Sequence, residues 1–205
     1  MSKAALEFLP LLEEPDVRRL DLLITLATVK EDKEVKIRLC EKASEIAWCW
    51  YKRYWNCSLS VEENLHVLGI STIRPLSSLE NISYRARALY DPETSAIALS
   101  EEQLTEMEII QDNLGLQIFT AREMRERILI HELFHHLEET KEQPLDKFLQ
   151  QQSKRPVHSA FRDVGAYAFA NRIFAGPLPC QLIDFIWMME KAPRRLRGYM
   201  SCKHD

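Results

Sequence analysis

No apolar run in this 205-residue chain approaches the roughly 18 residues of a membrane-spanning helix, so a helical membrane protein is not expected. Positive charge is equally sparse. Lys and Arg number 27 against 31 Asp and Glu, the formal net charge is −4, and the basic residues gather into no long stripe, which disfavours direct binding of nucleic acid. Cysteine forms no CxxC pair. The thiols at positions 40, 49, 57, 180 and 202 leave an odd one over, so they read as reduced thiols rather than as a disulfide framework or a cysteine metal site, and they fit a cytoplasmic protein. The first 15 residues contain one Lys and three Glu without a basic segment followed by an apolar core, which argues against a secretory leader. Repeats and low-complexity segments are also lacking. A chain of this length buries one substantial core, so one main domain is expected over residues 35–180, with a helical N-terminal extension over 1–34 and a C-terminal helix and basic tail over 181–205.

What the chain does contain is the string His131-Glu132-Leu133-Phe134-His135. The histidines are four positions apart, so on a helix they stand one turn apart, about 6 Å along the axis, and can grip one cation together. Glu132 would reach a water on that cation and act as a general base in peptide hydrolysis, with zinc as the cofactor. Such a string also arises by chance, and helical context is what favours the metal reading. Thr120-Ala121-Arg122-Glu123 is a capping box, and neither Gly nor Pro interrupts the chain from there to Glu139. Ile130, Leu133, Phe134 and Leu137 repeat at i, i+3, i+4, i+7 and make the core stripe. His131 and His135 then lie on its flank, where the floor of a cleft would need them. His136 points about 100° away and reads as a neighbour of the site or as surface.

A single helix cannot enclose a tetrahedral ion, so a third ligand must come from another segment. Glu138 and Glu139 read as the solvated end of the first helix. Asp163 is the stronger candidate, on a second helical pattern that starts at Pro156 and stops before Gly176-Pro177. Gly165, Ala166, Ala168 and Ala170 would let the two helices approach closely. The competing reading of Asp163 is an ion pair with Arg162 or another surface charge.

The rest of the chain is placed by its punctuation. Residues 35–55 read as a long helix whose Trp48, Trp50, Tyr51, Tyr54 and Trp55 are expected to bury against the sheet or a partner rather than to form a ligand surface. Ser60-Val61-Glu62-Glu63 caps a short helix ending at Leu68, and strands are expected over 69–73, 84–90 and 96–100. Asp91-Pro92-Glu93-Thr94 is the turn of a hairpin between the last two. Ser100 caps a further helix, and an extended substrate could pair with the strand before it. Residues 181–191 form a last helix, and Arg194, Arg195 and Arg197 a solvated patch.

The string Asp163-x-x-Ala166-x-x-Phe169-Ala170, followed by Ile173-Phe174-Ala175-Gly176-Pro177, resembles the ExxAxxFA segment that follows HExxH in the ImmA/IrrE metallopeptidases. The Gly69-Ile70 step and a strand just before the active-site helix are similar to that family as well, and the resemblance spans about residues 37–178. It implies an α+β fold, a helix-rich zincin-like domain with a small, mainly antiparallel sheet beside the HExxH helix. It also implies zinc held by His131, His135 and a carboxylate at position 163, with Glu132 as general base. The implied activity is regulated cleavage of a helix-turn-helix transcriptional repressor in the bacterial cytoplasm. Two positions depart from the family pattern. Asp163 stands where Glu is usual, a side chain shorter by about 1.5 Å. Tyr167 stands where Asn is usual, and its hydroxyl could orient Asp163 or donate to the oxyanion, or its ring could simply pack between helices. His158 is a further candidate beside the metal, though it lies roughly 140° round the helix from Asp163. The alternative to an endopeptidase is a regulatory or interaction module on the same fold that holds a metal without hydrolysing peptides.

Overall fold

The computed structural model describes residues 12, 15–27, 29–76, 87–194 and 196–197. The expected structure before residue 12, the start of the strand expected over 84–90, and Arg195 lie outside them. Among the described residues the helices are α1 (Val17–Leu20), continued by a π-helical turn (Asp21–Thr25), α2 (Lys33–Tyr54), α3 (Val61–Leu68), α4 (Glu101–Leu114), α5 (Ala121–Thr140), α6 (Leu145–Ser153), α7 (Ala160–Ile173) and α8 (Leu182–Lys191). The strands are β1 (Thr72–Pro75), β2 (Ala88–Asp91) and β3 (Ala96–Leu99).

Helix starts follow the side chains that can satisfy free N–H groups. Thr120 and Glu123 form a reciprocal capping box on α5, Ser60 and Glu63 do the same on α3, and Ser100 accepts from Gln103 N–H at the start of α4. Gly69 ends α3 with φ 106° and Gly115 ends α4 with φ 69°, the left-handed conformation that glycine adopts without strain. Ile70 N–H then bonds back to Leu65 O. Gly69 and Ile70 therefore belong to the helix cap, and the strand expected from residue 69 begins only at Thr72.

The sheet is mixed rather than mainly antiparallel. Its order is β1-β3-β2, with β1 parallel and β2 antiparallel to β3. The hairpin turn fixes the second relation, as its sequence suggested: Asp91 accepts from Glu93 N–H and from the Thr94 hydroxyl. β1 reaches β3 through a longer connection, which lets it run in the same direction. β3, not β2, is thus the central strand and all four of its residues are buried, so the strand open to pairing beside α5 is β2.

Two other expectations change. α7 begins at Ala160 rather than at Pro156: no side chain caps it in the usual way, and the exposed His158 accepts from Ala160 N–H through Nδ1. α6 fills the interval before it, starting directly after Pro144. The aromatics of α2 pack against α5 and α7 instead of the sheet. Trp50 is buried and stacks on Phe134 with centroids 4.7 Å apart, whereas Trp48 stays partly exposed and stacks on Tyr51.

α5 sits between two apolar clusters. Ile130, Leu133, Phe134 and Leu137 join Trp50, Phe161, Phe169 and Ala170 on one side. Met124 and Ile128 join Leu104, Met107, Ile110, Phe185 and Ile186 of α4 and α8 on the other. Gly165 marks where α7 comes closest: a Cβ there would lie 2.8 Å from Phe134 Cζ and 2.4 Å from Leu145 Cδ2, inside van der Waals contact. This is the close approach that the small residues of α7 suggested.

Candidate metal centre

α5 and α7 cross so that three lone-pair atoms converge. His131 Nε2 and His135 Nε2 are 3.3 Å apart, and Asp163 Oδ1 lies 3.7 and 3.5 Å from them. Donors around a tetrahedral zinc with bonds of roughly 2.0–2.1 Å stand about 3.3–3.4 Å apart, so the triangle is close to the size of one face of that polyhedron. The donor set is also of the right kind, two imidazoles and a carboxylate, and the group could hold a metal ion. Asp163 forms this triangle in spite of its shorter side chain, because the Gly165 notch brings α7 in. It does not pair with Arg162, which turns instead to Glu138 and Glu139.

The site's charges are coupled. Burial opposes charging of the His135 imidazole, but the carboxylates of Asp163 and Glu138 outweigh it and raise its pKa to about 10. Burial likewise opposes ionisation of Asp163, yet the two imidazoles outweigh that and hold its carboxyl well below the usual carboxylate range. Both shifts reflect imidazoles and carboxylates packed against one another at the helix crossing.

Glu138 is the residue the sequence reading misplaced. It is not part of a solvated helix end but fully buried, with Oε2 accepting from His135 Nδ1 at 2.7 Å and from Arg162 Nε at 3.0 Å, and Oε1 accepting from Leu145 N–H at 2.7 Å. Because Nδ1 donates to Glu138, Nε2 is the ring nitrogen that faces Asp163 and the one that could ligate a metal once its proton is displaced. Its signal was present in the i, i+3 spacing from His135, which puts both on one face. His136 is buried too and not on the surface. Nε2 donates to Leu68 O at 3.0 Å and Nδ1 accepts from the Tyr90 hydroxyl at 2.9 Å, while burial lowers its pKa and keeps it neutral.

Tyr90 makes a second link. Its backbone N–H donates to Glu132 Oε2 at 2.9 Å, so β2 holds the carboxylate next to the histidines. His131, Glu132 and Tyr167 then line one cavity of about 190 Å³ together with Arg87, Ala88, Arg127, Ile128, Cys180, Ile183 and Asp184. Tyr167 packs its ring edge on His131 with centroids 4.6 Å apart. Its hydroxyl does not orient Asp163: it donates to Asp184, which also pairs with Arg87. Burial pushes the Asp184 carboxyl up to about 7. His158 remains exposed at the start of α7 and is not among the converging donors. No described helix is long and apolar enough to cross a membrane. Comparison with protein-family models, curated proteins and solved structures finds no match to the chain.

Proposed function

We propose that the chain is a zinc-dependent endopeptidase of the ImmA/IrrE kind, with His131, His135 and Asp163 as the metal ligands and Glu132 as general base. The observation that carries this reading is the triangle of three donor atoms with sides of 3.3, 3.5 and 3.7 Å, beside which Glu132 is held by Tyr90 N–H. Zinc bound there would lower the pKa of a coordinated water and polarise a peptide carbonyl. Glu132 takes the proton from the attacking water and returns it to the leaving amine nitrogen. Glu138 positions His135 for ligation, and Arg162 holds the Glu138 carboxylate in place. β2 offers a substrate segment a backbone edge alongside this carboxylate. The substrate, a helix-turn-helix transcriptional repressor, and the bacterial cytoplasm as its setting are taken from the family resemblance alone.

One observation favours the alternative of a metal-binding regulatory module. Tyr167, the oxyanion donor suggested by the sequence, has its hydroxyl committed to Asp184. The two readings separate in one set of proteins. Elemental analysis should find about one zinc per chain in wild type and loss in both His135→Ala and Asp163→Ala. Glu132→Gln should keep the metal and lose cleavage of a purified helix-turn-helix repressor. No zinc in reconstituted wild type would sink the metal reading, and repression relieved equally by Glu132→Gln would leave the non-catalytic module.

A further inference from the structure

The cavity beside His131 and Glu132 contains a charge that no described carboxylate pairs with. Arg127 lies on α5, one helical turn before His131, and is only 8% exposed. Its guanidinium is sandwiched between the rings of Phe119 and Phe174, at 4.9 and 4.7 Å from their centroids. Nη1 meets the Cys180 sulfur at 3.5 Å, a weak acceptor, and the buried Nε has no hydrogen-bond partner among the described residues. The guanidinium forms no ion pair among them either. Glu123 feels its charge, but that carboxylate is exposed and committed to the Thr120 cap. Arg87, the other cation lining the cavity, is paired with Asp184.

Burying a guanidinium without a carboxylate is unfavourable by several kcal/mol in general, and aromatic faces offset only part of that. Such a group in a cavity wall is therefore preorganised for an anion. The cavity, at about 190 Å³, is smaller than the roughly 300–1,000 Å³ of most small-molecule sites and suits a single side chain or chain end. Ala88, Ile128 and Ile183, among its other walls, would pack on a short methylene stem, while the Asp184 carboxylate is taken up by Arg87.

We infer that this cavity is a specificity pocket in which Arg127 binds a carboxylate of the polypeptide substrate, delivered next to Glu132. The substrate class depends on the endopeptidase reading above; the pocket's preference for a carboxylate does not. Two sources share the chemistry, an Asp or Glu side chain and a free chain terminus. The fixed aromatic sandwich favours a bidentate contact, and a charge-assisted pair of this kind discriminates against a neutral isostere by roughly tenfold or more.

The test uses the full chain carrying Glu132→Gln, with and without zinc, titrated with three synthetic peptides. These are acetyl-Ala-Ala-Glu-Ala-Ala-amide, its Gln counterpart, and acetyl-Ala-Ala-Gln with a free C-terminus. The expected result is a Kd at least about tenfold lower for a carboxylate peptide than for the neutral Gln amide, in both metal states. Preference for the first assigns the pocket to acidic side chains and preference for the third to chain ends. Adding Arg127→Met should bring all three within about twofold. Equal binding of the charged and neutral peptides overturns the proposal without recourse to any arginine variant, and so does a preference that survives Arg127→Met in a protein with wild-type circular dichroism. An Arg127-dependent preference in a chain whose wild type cleaves none of the peptides or proteins tried would keep the pocket and remove the peptidase. Cleavage by wild type without carboxylate preference would do the reverse.

Discussion

At the scale of single residues, the two histidines and Glu132 were legible because helix geometry links them to sequence spacing, and Asp163 because a third ligand had to come from a second helix able to approach closely. Glu138 and Arg127 were not, since each owes its meaning to groups from elsewhere. Glu138 looked like one of several acidic residues at a helix end until Arg162 of α7 and the N–H of Leu145 closed over it. Its role gives a sharp expectation. Glu138→Gln removes the anion that receives His135 Nδ1–H, and metal affinity should fall by about 10- to 100-fold in competition with a chromophoric chelator. Unchanged affinity would reduce Glu138 to a partner of Arg162 alone. Tyr167 teaches the opposite lesson. Its i, i+4 spacing puts it on one helix face with Asp163, but helix phase cannot show that Asp184, on another helix, takes the hydroxyl.

At the scale of elements, capping chemistry was the most readable signal. The Ser60 and Thr120 boxes and the Ser100 cap set the starts of three helices, and Asp91 set the hairpin turn. What escaped was governed by long-range geometry. The direction of β1 depends on its connection to the hairpin, and α6 starts without any side-chain cap. The small residues of α7 were read for their steric consequence, and Gly165 bears most of it. Gly165→Ala places a methyl against Phe134 and Leu145, and stability should drop by roughly 1–3 kcal/mol. The same wedge should widen the α5–α7 crossing and pull Asp163 back. Chemical denaturation and a metal titration on the variant would therefore move together, and a loss of stability with unchanged metal affinity would disconnect the notch from the site.

At the scale of the whole molecule, a buried polar chain ties distant parts together. Asn171 donates to Gln181, Gln181 donates to Asp21, and Asn171 accepts from Cys180 N–H, so the π-helical turn, α7 and the start of α8 share one network. Burial pushes the Asp21 carboxyl up to about 7 from an ordinary value of 3.8, against the hydrogen bond from Gln181 that lowers it. Because the folded value is raised, the protonated form favours folding. This contribution is complete below about pH 4 and is lost as pH rises through 7, an effect of at most about 4 kcal/mol. Urea unfolding at pH 5 and pH 8 should show wild type losing stability relative to Asp21→Asn across that interval. Parallel pH profiles for the two proteins would remove Asp21 as the titrating group. None of this network was visible in the sequence, where Asp21 and Gln181 are 160 residues apart.

The amide of Tyr90 has an acceptor that strands rarely use, a side-chain carboxylate on the helix beneath. Its nitrogen chemical shift and hydrogen-exchange rate should accordingly respond to the position of one oxygen atom of Glu132 as well as to opening of the sheet. That single backbone resonance is a spectroscopic beacon, able to follow displacement of the carboxylate without any label placed in the cleft.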